Sequence, residues 1–214
     1  MELKRALSSL IALTFASGML FAQASGPKVA HTVHSGRVTA AAKTPGSMTT
    51  IFSNLGPSST NLFNDTTGYY VLGPDNSVGY SEQWIGVPFT PTVSAHVKVL
   101  QVAIGYISGT SLVNIGLYSD NDGVVGNWLA SAEATNIPLF GACCQVVTVT
   151  IPSTPVKAGT QYWIVATPDD TNGPDFTAVF QASNQGVISY NEAEGGWGAF
   201  TTNTPAAAAL GVLP

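Results

Sequence analysis

From Ala95 to Ser108 both sets of alternate positions are apolar. Leu100, Val102, Ile104 and Tyr106 form one set, and Val97, Val99, Ala103 and Ile107 form the other. A strand with one wet face alternates apolar and polar residues, so this run predicts a central strand packed on both sides. Gly109-Thr110 then turns the chain into Leu112 to Ser119, where Val113, Ile115 and Leu117 share one face and Asn114, Gly116 and Tyr118 the other. The two runs are expected to pair as a β-hairpin, the centre of an organising stretch that reaches from Gln83 to Gly126. Asp120-Asn121-Asp122-Gly123 is built of residues that bond their own backbone or tolerate positive φ, which predicts a tight exposed turn closing the second run.

Short strand-like runs recur along the rest of the chain. They lie at Thr49 to Phe52, Gly68 to Leu72, Glu82 to Phe89, Asn127 to Thr135, Gln145 to Ile151, Gln161 to Ala166, Thr177 to Phe180, Val187 to Tyr190 and Ala207 to Val212, each bounded by turn residues. Pro88 and Pro91 limit ladder pairing in the Glu82 to Phe89 run, which suits an edge strand or one that switches sheets. Tyr162, Ile164 and Ala166 alternate with Trp163 and Val165 and predict a buried strand. The Ala-rich tail is expected to form a closing strand, because small residues flanked by Leu210 and Val212 fit where bulkier strands leave little room. No segment has a 3.6-residue period and no repeat is present. The expected fold is therefore all-β: an antiparallel two-sheet β-sandwich, jelly-roll-like.

Only 9% of the residues are charged, and polarity comes from hydroxyls and amides. Such a surface suits an extracellular β protein and gives a nucleic acid no cluster of Lys and Arg to bind. Residues 1–24 read as an export signal, with Lys4 and Arg5 before an apolar run from Ala6 to Phe21 and an Ala22-Gln23-Ala24 cleavage site. Residues 25–48 hold Lys28, His31, His34, Arg37 and Lys43 without a single acid, whereas Thr49 to Pro214 holds eleven acids against Lys98 and Lys157. That change of sign marks a boundary between a flexible leader and a single folded domain, 49–214. His31 and His34 lack a helix or a third ligand and read as part of a solvated tail. No later segment is apolar enough to cross a bilayer, so no membrane span is expected once the signal is removed.

Seven stretches together resemble a known family. They are Asn54-Leu55-Gly56-Pro57, Val87-Pro88-Phe89-Thr90-Pro91, Ile104-Gly105-Tyr106, Leu117-Tyr118-Ser119-Asp120, the Gly123 to Leu129 turn, Ala158-Gly159-Thr160-Gln161-Tyr162-Trp163 and Gly195-Gly196-Trp197. The chain resembles the bacterial secreted "choice-of-anchor" domains, the R type most closely, over roughly Thr49 to Val212. The resemblance implies an exported β-sandwich, often tethered by a C-terminal sorting tail, and implies no catalytic residues. After Val212 come only Leu213 and Pro214, so free secretion is the expectation here.

Several residues are candidates for chemistry. Cys143 and Cys144 are adjacent and are the only cysteines. In an oxidising compartment they form a vicinal disulfide, remain as two thiols in their loop, or link to another chain; Cα atoms about 3.8 Å apart lie below the usual disulfide range, which strains the first option. Asp120 and Asp122, with Asp65 from another loop, could offer oxygens to calcium, as could the loop from Asp169 to Asp175. The spacing does not match an EF-hand, and a polar turn is the simpler reading. Trp197, Trp128 and Tyr190 are candidate ligand-binding aromatics, since rings beside turns can stack on sugars while nearby amides and carboxylates bond the hydroxyls. Burial is the competing reading for those rings, and Trp84 and Trp163 within strands are expected in the core.

A hydrolytic site is poorly supported. G-x-S-x-G and H-E-x-x-H are missing, and His96 is the only histidine in the domain. Glu82, Glu133, Glu192 and Glu194 could pair as a glycosidase acid and base only if two of them faced each other. The expectation is thus a secreted, non-catalytic binding or matrix component, with a polysaccharide or a cell-surface component as partner. A self-associating structural subunit and, after it, a glycoside hydrolase are the alternatives.

Overall fold

A computed structural model describes residues 48–56, 63, 68–140, 146–192 and 195–214. The export signal, most of the leader, Asp65, Cys143, Cys144 and Glu194 lie outside the described residues. Twelve strands fall within them: β1 (Thr49–Ser53), β2 (Gly68–Leu72), β3 (Gln83–Phe89), β4 (Ala95–Val102), β5 (Ile104–Ser108), β6 (Leu112–Asn121), β7 (Val124–Thr135), β8 (Val147–Val156), β9 (Tyr162–Pro168), β10 (Thr177–Glu192), β11 (Gly196–Pro205) and β12 (Ala207–Val212). No described residue is helical, and every strand pairing is antiparallel.

The strands form two sheets. The smaller runs β1-β12-β4-β8, and the larger, eight-stranded one runs β11-β10-β2-β3-β9-β6-β7 with β5 added against β10. One apolar cluster joins both, with Val97, Leu100, Val102, Val149 and Ala209 from the smaller sheet and Ile85, Val113, Ile115, Ile164 and Phe180 from the larger. Burying a side chain such as Phe180 contributes about 1.5–3 kcal/mol, so the sheets are held chiefly by this shared cluster. The outer face of the smaller sheet is covered too, because Leu55 and Phe63 pack with Val99, Ala208 and Leu210.

The apolar run from Ala95 to Ser108 is not one strand, and its expected hairpin with Leu112 to Ser119 does not form. The run divides at Ala103, with β4 in the smaller sheet and β5 paired to β10 in the larger. Ala206 divides β11 from β12 in the same way, and the two crossover points meet. Ala103 N donates to Ala206 O at 2.9 Å, Ala206 N to Gln181 O at 2.8 Å, and Gln181 N to Ala103 O at 2.8 Å. The backbone groups freed by each switch thereby satisfy one another. Asn54 adds a side-chain clamp: its Nδ2 donates to Pro205 O at 2.9 Å and its Oδ1 accepts from Ala207 N at 2.6 Å.

The hairpin forms one step later. β6 pairs with β7 through a two-residue turn, Asp122-Gly123, with φ of 53° and 86°. Positive φ at both positions is the geometry whose twist matches antiparallel strands, so the expected tight turn is present. The tip of this hairpin curls back over the larger sheet until Val125 N reaches Ser189 Oγ of β10 at 3.3 Å. The fold includes a small five-stranded barrel that the sequence patterns did not foretell. Val125, Trp163 and Val165 form a second, smaller cluster, against which Tyr118 and Trp197 pack.

Two further expectations need correction. β3 is neither an edge strand nor a switching one; β9 flanks it along Ile85–Phe89, and β10 and β2 flank its other side. Pairing with β10 ends at Gly86, so Pro88 sits where only β9 is alongside and its missing N–H is tolerated. The runs Thr177 to Phe180 and Val187 to Tyr190 are two parts of the single long β10, which pairs first with β2 and β5 and then with β3. The tail does close the fold, with β12 between β1 and β4.

Candidate functional site

The strand that the sequence patterns did not reveal, β11, builds the candidate site. Tyr190 and Glu192, two residues apart on β10, share a face. The register sets Tyr190 opposite Gly198 and Glu192 opposite Gly196. Glycine brings no side chain to those places, and a Cβ added at either would have no heavy atom within 4 Å. A cavity of about 270 Å³ results, lined by Tyr190, Glu192, residues 195–199 and Phe200. The Phe200 ring meets Tyr190 edge to face, with centroids 6.2 Å apart and planes at 75°.

The electrostatics of this cavity are lopsided. Among the described residues, Glu192 is the only charged one lining it. The Tyr190 hydroxyl is buried and has no hydrogen-bond partner, the one such side-chain atom among the described residues. Burial raises its pKa well above the ordinary tyrosine value, and the Glu192 charge adds to that effect, so the hydroxyl keeps its proton. The hydroxyl lies within the influence of Glu192 without meeting the geometry of a hydrogen bond. A buried hydroxyl left unsatisfied costs about 1–3 kcal/mol.

The three aromatic candidates do not form one platform. Trp197 neighbours Tyr190 in space, yet alternation sends its ring to the opposite face of the β10–β11 ribbon. There it packs against Trp84, with centroids 6.1 Å apart, and against the Trp163 cluster. Trp128 is elsewhere, 59% exposed on β7, with its Nε1 donating to Ser131 Oγ at 3.1 Å. Trp163 is fully buried as expected, whereas Trp84 is only partly buried. His96 is exposed on β4.

Asp120 points into the protein. Its Oδ1 accepts from Trp163 Nε1 and from Gln161 Nε2, each at 2.7 Å, and its Oδ2 accepts from Gly123 N at 3.1 Å. Burial acts to raise its carboxyl pKa, but these donors outweigh it and hold the group below the usual carboxylate range. N–H donors therefore crowd the oxygens that calcium would need. Asp122 supplies the first positive-φ residue of the turn. Asp169 accepts from Thr171 N, Asn172 N and Asn172 Nδ2, and Asp175 accepts from Thr110 N. Among the described residues no group of three or more His, Cys, Asp or Glu could hold a metal.

Of the four glutamates, Glu192 lines the cavity and Glu133 lies on β7. Glu82 accepts a hydrogen bond from Trp84 Nε1; burial raises its pKa, and the nearby Asp170 charge adds to the rise. Among the described residues, no helix is long and apolar enough to cross a membrane. A scan of protein-family models finds no match, and a search of curated proteins finds no relative.

Sequence reasoning named Tyr190 and Glu192 for different reasons and overlooked Phe200. The readable signal was the spacing itself: Tyr-x-Glu and Gly-x-Gly on either side of a short turn, with an aromatic residue two positions further on.

Proposed function

We propose that this chain is an exported, non-catalytic two-sheet β-sandwich of jelly-roll type, related to the choice-of-anchor domains. It acts outside the cell as a binding component whose ligand is a glycan. The observation that carries the reading is the cavity beside Tyr190: a pocket lined by the aromatic residues Tyr190 and Phe200 and by the Glu192 carboxylate. Sugar rings offer apolar C–H faces to such walls and hydroxyls to such polar atoms. A cavity of this size takes about one ring, which suits a module that grips a chain end or a single residue within a chain.

Binding of the purified protein to a polysaccharide array tests the reading. Selective binding, weakened by Phe200→Ala in a variant with an unchanged circular dichroism spectrum, supports it. Retention of no glycan at all removes it.

One observation favours self-association as a second reading. β11 ends the order of the larger sheet, carries no charged side chain and holds its one proline, Pro205, only at its last position, whereas edge strands that avoid pairing usually carry charge or proline along their length. Light scattering over a hundredfold range of concentration decides it, since a mass that stays at one chain throughout excludes assembly.

A further inference from the structure

We infer that the cavity between β10 and β11 is a site for a protonated amine, and that the glycan it takes is an amino sugar. This rests on the binding reading above and specifies its ligand.

Among the described residues the cavity is lined by a negative group, Glu192, and by no positive one. Among the described residues the only Lys or Arg side chains are Lys98 on β4 and Lys157 just after β8, both belonging to the smaller sheet and its loops. A neutral sugar would leave the Glu192 carboxylate without a countercharge, and an anionic one would be repelled by it. A sugar carrying –NH₃⁺ supplies that charge.

The remaining features fit the same group. Tyr190 and Phe200 line the cavity, and an ammonium within about 6 Å of an aromatic face is attracted by the ring quadrupole. The ammonium has three N–H donors and no acceptor. Glu192 can accept one of them. The others remain for solvent or for a carbonyl of the glycine-rich strand. Gly196 and Gly198 allow the sugar ring to approach the β11 backbone closely, because neither carries a side chain opposite Glu192 or Tyr190.

Calorimetry on the purified chain tests the inference with three oligosaccharides of one length: a glucosamine oligomer, its N-acetylated counterpart and a neutral glucose oligomer. The expected result is binding of the glucosamine oligomer at least about tenfold tighter than the others. Glu192→Gln should erase that preference. Gly198→Val, whose side chain grows into the cavity without touching Glu192, should abolish binding of all three while circular dichroism shows an intact fold. Equal binding of the three oligomers to the unaltered protein overturns the amine assignment while leaving the glycan reading in place. No binding of any of them overturns both. A lysine oligomer that binds as tightly as the glucosamine oligomer and competes with it overturns the sugar as the source of the amine.

Discussion

Asp120 Oδ1 lies 2.7 Å from Nε1 of Trp163, a side chain with no exposed surface. The bond ties the start of the β6–β7 turn to β9 and answers the one polar atom of a buried indole. Asp120→Ala would strand that N–H and free the turn, at a cost of about 2–3 kcal/mol. Urea unfolding followed by tryptophan fluorescence measures the loss; an unchanged midpoint would mean that the indole finds another acceptor.

The same carboxylate predicts a pH dependence. Its pKa is lowered in the folded state from an ordinary 3.8, so the stability it contributes is complete above that ordinary value. It is lost as pH falls through the lowered folded value. Asp120→Asn should be less stable at neutral pH and should lose less on acidification than the unaltered protein. Parallel curves of stability against pH for the two proteins would exclude Asp120 as a source of acid sensitivity.

Tyr190→Phe separates fold from function. Deleting a buried hydroxyl that has no partner should raise stability by about 1 kcal/mol while leaving glucosamine-oligomer binding unchanged. The urea midpoint should therefore rise with an unchanged slope. A fall in the midpoint would show that the hydroxyl has a partner in solution.

Asn54 joins the two ends of the crossover at Ala206. Asn54→Ala removes the acceptor of Ala207 N, on a residue with no exposed surface, and the donor to Pro205 O. The cost should be about 1–3 kcal/mol. Hydrogen exchange should locate the loss at β12 and the end of β11; faster exchange spread evenly over the whole protein would contradict a local clamp.

Gly211 has its own constraint. A Cβ there would lie 2.1 Å from the carbonyl oxygen of His96, beside the bulge between Leu210 and Gly211. Gly211→Ala should cost on the order of 2–3 kcal/mol or shift the β12 register, whereas Gly198→Ala, in open space, should leave thermal stability within about 1 kcal/mol of the parent. Similar melting temperatures for the two variants would mean that β12 can move aside.

Strands and turns were legible because they depend on neighbours in the chain. Period-two patterns marked β6 and β9, flanking turn residues marked β2, small residues beside Leu210 and Val212 marked β12, and the Asp122-Gly123 turn announced itself by its residues. The division at Ala103 was not legible: apolar side chains continue through it, and the groups that allow the switch, on Gln181 and Ala206, are remote in sequence. β11 escaped notice because Gly-Trp-Gly-Ala-Phe-Thr-Thr-Asn-Thr-Pro has no apolar alternation and takes its order from β10. The cavity exists only through the register of Tyr190 with Gly198, a property of pairing that no residue displays alone.

The final strand has a consequence for how the molecule comes into being. Because β12 lies between β1 and β4, the smaller sheet has a vacant centre until residue 212 has been synthesised, and β1 has no neighbour to zip onto before then. Most contacts join distant parts of the chain, which already slows folding. The eight strands of the larger sheet are all available before β12 is, so the smaller sheet is the last to be completed and β1 waits longest for its partner.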